Sequence, residues 1–211
     1  MKPSLSLIQQ QAHAYQARKK WYRSLSLRAA VCVIVAEQPD LGLSLLMIQR
    51  AIHPGDTWSG HMAFPGGKHE TDDAHITQTA LRECQEELGI APQTLQRFGR
   101  LSDILAKPYR LQQKPMVVSP LLFSTDQTLD FTPNDEVADV LWIPLSHFLD
   151  SNNRQRMVWK NAGFHLDIPC YDYQDKRIWG ISLIVIDEII NQLVKPVSDA
   201  DLGSSSPPAP N

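Results

Sequence analysis

The chain has 211 residues, 43% of them apolar, and a formal net charge of −3, which suits one substantial domain with a buried core and short extensions. So balanced a charge excludes a strong general attraction to nucleic acid or to an anionic membrane, and any basic group that meets a phosphate must be local. Cys32, Cys84 and Cys170 form no CxxC pair, which argues against a disulfide framework or a zinc site and suits a reducing, cytoplasmic setting. The first fifteen residues lack the apolar core of a signal peptide, and no apolar run reaches the roughly 18 residues of a membrane span.

In chain order, residues 4–22 read as an amphipathic helix, with Ile8, Ala12, Tyr15 and Tyr22 on one face and Lys19 interrupting it. Arg28 to Glu37 and Leu43 to Gln49 are apolar and partly β-branched, so they read as a hairpin of buried strands around the turn at 38–42. A loop at 51–60 leads to a short strand from His61 to Phe64, and Pro65-Gly66-Gly67 breaks regular structure before a helix. Beyond that helix, strands are expected at Gln96–Ala106, Met116–Ser124 and Val137–Ile143, separated by a basic loop at 107–114 and a polar turn at 132–136. Pro120 inside the second of these suggests an edge or a bulge. A short helix from Pro144 to Leu149, a hairpin over 154–173, a helix over 178–194 and a disordered Ser/Pro/Gly tail complete the chain. The pattern is α/β (α+β), divided as a helical extension at 1–24, a domain at 25–195 and a tail at 196–211.

The most informative stretch is Gly66 to Ile90, GGKHETDDAHITQTALRECQEELGI. Ile76, Ala80, Leu81, Cys84 and Leu88 recur at helical spacing and face the core, and Gly89 is placed as the stop. Glu83, Glu86 and Glu87 are three and four apart, so they share an arc of about a third of a turn. Carboxylates crowded in this way repel one another, and a hard divalent cation such as Mg²⁺ relieves the repulsion. Arg82 stands four residues before Glu86 and can pair with it. A solvated acidic helix face is the plain alternative.

The Gly-Gly entry, Arg82 before the first glutamate and the closing Gly89 together resemble the Nudix box, G-x5-E-x7-R-E-U-x-E-E-x-G-U. Three departures mark this chain. Asp73 stands where the family has glutamate, the eight residues from Ala74 to Leu81 replace seven before Arg82, and Cys84 stands at the aliphatic position. The longer spacing with an aspartate resembles the coenzyme A diphosphatase branch. So do Arg50 and Phe64-Pro65-Gly66-Gly67, although Glu70 replaces an aspartate and His53 to Ser59 departs from that branch's L-R-x-H segment. The resemblance implies a Nudix-type α/β/α sandwich with a mixed central sheet. It implies hydrolysis of a diphosphate joined to another moiety, with Mg²⁺ or Mn²⁺ held by Glu83, Glu86 and Glu87 and Arg82 orienting a carboxylate. One of these glutamates, or Glu136, would be the base.

Arg50, Lys68, Gly66, Gly67 and Glu136 are the expected substrate-side residues, and Lys107, Arg110 and Lys114 are further candidates. Coenzyme A or a derivative is the leading substrate. ADP-ribose, another nucleotide sugar or an oxidised nucleotide is the alternative, as is a silent ligand-sensing domain. The expected partner is a small-molecule diphosphate rather than nucleic acid or membrane, and a homodimer stays open.

Overall fold

The computed structural model describes residues 3–54, 58–106, 115–161 and 164–194. The basic loop at 107–114 and the tail expected at 196–211 lie outside the described residues. In chain order the elements are α1 (Leu5–Ala14), β1 (Leu27–Gln38), β2 (Gly42–Arg50), β3 (Met62–Ala63), β4 (Gly66–Lys68), α2 (Ile76–Leu88), β5 (Gln96–Arg100) and β6 (Ile104–Ala106). Then come β7 (Met116–Ser124), β8 (Val137–Pro144), α3 (Leu145–Leu149), β9 (Arg154–Asn161), β10 (Phe164–Tyr173), β11 (Lys176–Ile178) and α4 (Gly180–Glu188). A π-helical turn, Ile189–Val194, continues α4.

The core strand is β1, whose residues are apolar on both faces because both faces are covered. Ala30, Cys32 and Ile34 meet Ala80, Cys84 and Leu88 of α2. Ala29, Val33 and Val35 point the other way, into a cluster with Ile8 of α1 and Val185 and Ile186 of α4. The period-2 alternation of one strand thus builds a helix–sheet–helix sandwich. The sheet is mixed: β1 runs parallel to β7 over Leu27–Val35 and antiparallel to β2 and β4. A separate three-stranded sheet holds β9, β10 and β11. The three cysteines are free and buried.

Five expectations change. The N-terminal helix ends at Ala14 rather than near Tyr22, and residues Trp21–Leu25 form a 3₁₀ turn. The Gly-Gly segment is not a loop: Gly66 and Gly67 pair with Val31 and Ala30 as strand β4. The single strand expected from Gln96 to Ala106 is split, because Leu101–Asp103 leave the ladder while Asp103 is buried to accept hydrogen bonds from Ser119 Oγ (2.8 Å), the Lys20 amide (2.9 Å) and Arg100. Pro120 lies on β7, which is paired on both sides rather than at an edge, and sits opposite that split, between the β6 partner Val118 and the β5 partner Leu121. The last helix starts at Gly180, since Ile178 still pairs with Tyr171 in the small sheet.

The N-terminal segment is integral to the core. Ile8 is fully buried, and Tyr15 donates to Glu188 Oε1 at 2.5 Å while its oxygen lies 2.9 Å from Ser102 Oγ. Ile8→Ala is therefore expected to lower stability by about 2–4 kcal/mol, measured by urea unfolding.

Candidate active site

Helix α2 is held at both ends. His75 Nδ1 accepts from the Gln78 amide at 3.1 Å at the N-terminus, and Gly89 closes the helix in the left-handed conformation, φ 71°. The last carbonyls are taken by the segment that follows: Thr132 N donates to Leu88 O (2.8 Å) and Asn134 N to Glu87 O (3.0 Å). Glu136 then accepts at its backbone oxygen from the Ala51 amide, 2.7 Å away. This chain of main-chain bonds places Glu136 between the end of β2 and the end of α2, beside the box glutamates.

Arg82 is the organising side chain. Its Nε donates to Asp73 Oδ1 (3.1 Å) and its Nη2 to Asp73 Oδ2 (3.2 Å), a two-pronged pair. Nη1 reaches Glu86 Oε2 at 2.9 Å, and Nη2 lies 3.0 Å from both Glu83 Oε1 and the Lys68 carbonyl oxygen. Asp73 also accepts from Thr79 Oγ1 and the Glu70 amide. With these donors around it, chiefly Arg82, its carboxyl is pulled down to about 2 despite burial. The spacing from Asp73 to Arg82 hides this partnership in the sequence, because the two lie on a loop and a helix nine residues apart. The i,i+4 pair with Glu86 is present as expected.

Glu83 and Glu87 converge on the glycine strand. Glu87, 2% exposed, accepts from the Gly66 amide at 2.9 Å. A Cβ on Gly66 would collide with the Ala30 carbonyl and stand 2.7 Å from Val31 Cα, and one on Gly67 would stand 2.6 Å from Glu83 Oε2. Only glycine lets β4 and these carboxylates share this space. Burial pushes the Glu87 carboxyl up to about 8; the Gly66 hydrogen bond and Arg50 oppose the shift, while Glu83 and Glu136 add to it. Burial likewise raises Glu83, against the pull of Arg82.

The expected three-glutamate cluster is not closed in this structure. Among the described residues no three His, Cys, Asp or Glu side chains stand together closely enough to hold a metal. The half-exposed Glu86 carboxylate and Glu83 are both held by Arg82, while Glu87 accepts from the Gly66 amide. The donors still fit a hard cation: all are carboxylate oxygens, and Glu87 is a buried acid whose charged form lacks a full counter-charge.

These groups border one pocket of about 720 Å³. Arg50, Gly66, Gly67, Lys68, Arg82, Glu83, Glu86 and Glu136 all line it, and Glu87 lies behind them. Lys107, Arg110 and Lys114 lie outside the described residues. The sequence reading missed the opposite wall, formed by Trp179 and the first turns of α4; His61 packs edge-on to Trp179 with ring centroids 4.7 Å apart. His69 Nδ1 lies 2.8 Å from Thr79 Oγ1.

A model of the NUDIX domain matches residues 26–164. The chain belongs to the Nudix family. It is 28% identical over 174 residues, covering 82% of this chain and 83% of the other, to an uncharacterized Nudix hydrolase NudL of Yersinia pestis (strain Pestoides F). The same figures hold for a protein of that name from Yersinia pseudotuberculosis serotype O:1b (strain IP 31758). Among solved structures, a C. elegans Ap4A hydrolase binary complex superposes with a TM-score of 0.49 at 21% identity, covering 58% of this chain and 83% of that one. Nudix hydrolases act on diphosphate bonds and generally use Mg²⁺ or Mn²⁺, and this chain is a hydrolase of that class. No helix among the described residues is long and apolar enough to cross a membrane.

Two expectations follow from the titrating groups. Glu87 must lose its proton to ligate a cation, so calorimetry of Mn²⁺ binding at pH 7 in buffers of different ionisation enthalpy should show about one proton released, and far less above pH 9. Asp73 has its pKa lowered on folding, so its contribution is present above the unfolded carboxylate value of about 3.9 and is lost as pH falls toward 2. Asp73→Asn should cost on the order of 2 kcal/mol at pH 7, read by thermal unfolding, with little penalty left near pH 2.

Proposed function

We propose that this Nudix protein hydrolyses the diphosphate linkage of a nucleoside diphosphate-linked metabolite, with coenzyme A or a derivative as the leading substrate. The observation that carries the reading is the junction of α2 and β4, where Glu83 and Glu87 press against Gly66 and Gly67 at the edge of a large pocket. Glu83, Glu86 and Glu87 would hold Mg²⁺ or Mn²⁺. When bound, the cation neutralises phosphate charge and lowers the pKa of a ligated water.

The chain's own groups supply the rest. Arg82 restrains Glu83 and Glu86 and is itself anchored by Asp73, so the carboxylates are set before substrate arrives. Arg50 and Lys68 line the pocket beside them and supply positive charge for phosphate oxygens. Glu136, exposed at the pocket rim and close enough to raise both Glu83 and Glu87, is the carboxylate we assign to accepting the water's proton. The preference for coenzyme A draws on the residues that resemble its branch: Arg50 at the end of β2, Phe64 to Gly67, and Asp73 with the longer box. The three free thiols support a reducing, cytoplasmic setting.

A substrate panel with Mg²⁺ and mass-spectrometric identification of products tests the reading. It should contain coenzyme A, acyl-coenzyme A, ADP-ribose, NADH, dinucleoside polyphosphates and nucleoside triphosphates. Hydrolysis at a diphosphate is expected, with coenzyme A compounds giving the highest kcat/KM. Glu86→Gln should lower turnover by at least 100-fold with an unchanged melting temperature. Full activity in that variant would remove Glu86 from the metal site.

A further inference from the structure

The pocket does not end at the carboxylates. From β4 its floor crosses β1 and β7 to β6, because Ala29 pairs with Lys68 on one side and with Val118 on the other, and Val118 pairs with Ile104. Three strand spacings make this floor roughly 14 Å wide. Away from the glutamates the lining changes character. The floor becomes Ala29, Val118, Ala106 and Met116, and the roof becomes Ile181 and Ile184 of α4. Ser182, the hydroxyl on that wall, already donates to the Met62 carbonyl at 2.9 Å. Ile184 is 49% exposed although it faces the pocket, so apolar surface stands open to water in a groove continuous with the carboxylate end.

We infer that this groove between the sheet and α4 receives an aliphatic arm that the substrate carries on its diphosphate. The inference rests on the diphosphatase reading and sharpens it to a substrate class. A hydrocarbon arm leaves water against the partly exposed Met116, Ile181 and Ile184 and gains with every methylene it buries. A sugar in the same place would bring hydroxyls to a wall whose described residues offer them few partners, and each buried hydroxyl without a partner is costly. The small side chains of Ala29 and Ala106 leave the floor low enough for a chain to lie along it. The groove therefore selects a diphosphate joined to an aliphatic group over one joined to a second sugar.

The test uses ADP esters of ethanol, butanol, hexanol and octanol, with ADP-ribose for comparison, on the full chain with Mg²⁺. Expected is a rise in kcat/KM of roughly thirtyfold from the ethyl to the octyl ester, which in free energy is under half of what six fully buried methylenes would supply, with ADP-ribose below the octyl ester. Ile184→Asn, at a half-exposed position of α4, should cut that rise at least threefold. Methylene-bridged, non-hydrolysable analogues of the ethyl and octyl esters give the matching affinities by calorimetry. Turnover and affinity independent of chain length overturn the groove and leave the diphosphatase reading standing. A rise that Ile184→Asn does not touch overturns it as well. Tighter, Ile184-dependent binding of the octyl analogue with no hydrolysis of any ester supports the groove and removes the diphosphatase reading.

Discussion

The bidentate pair between Arg82 and Asp73 is the contact on which the site depends. Arg82 leaves the helix surface to meet an aspartate on the loop that enters it, and from there touches Glu83, Glu86 and the Lys68 carbonyl. One guanidinium thus joins α2, its entry loop and strand β4. A lysine could not do this, since a single ammonium has no planar fork with which to meet a carboxylate and a carbonyl in fixed directions. The pair is half-buried in its Arg and nearly dry at its Asp, where a charge is tolerated because every oxygen of the aspartate is bonded.

That anchor makes an otherwise unfavourable arrangement sustainable. Glu83 and Glu87 lie next to each other with little water, and both are harder to ionise for it. Their positions demand that the neighbouring strand have no side chains, and Gly66 and Gly67 meet the demand by pairing with β1 at a distance that a Cβ would close. Carboxylates, glycines and the arginine therefore form one unit: removing any part leaves a collision or an unbalanced charge elsewhere. The remainder of the fold holds the two sides of this unit in register. Strand β1 pairs with β4 and packs beneath α2, and the segment from Thr132 to Glu136 fastens to the end of α2.

The opposite face of the same sheet supplies the rest of the pocket, and it comes from distant parts of the chain. Trp179 and α4 reach the carboxylate end from more than ninety residues downstream of Glu86. The polar end and the apolar groove meet over Ala29 and Gly67, residues on neighbouring strands. Catalytic chemistry and substrate fit are thus set by different elements. A pocket of this kind can change its preferred substrate by altering α4 or β7 without disturbing α2, the helix proposed to hold the metal.

Read alone, the chain determined the helix, its apolar face, its stop at Gly89 and the central hairpin, because all of these depend on spacings within a few turns or along one strand. The periodicity of Ala80, Cys84 and Leu88 and the alternation along β1 carry that information locally. The tertiary structure alone decided what Asp73 does, why Gly66-Gly67 is a strand, why the segment after Gln96 breaks, and where Glu86 points. Each of these turns on a partner far away in sequence: a guanidinium, a strand edge, a buried aspartate's donors, or the wall of a pocket. Propensity and spacing describe what a segment can form, whereas hydrogen-bond partners and desolvation, which set the role of each charged side chain, exist only once the chain has closed around it.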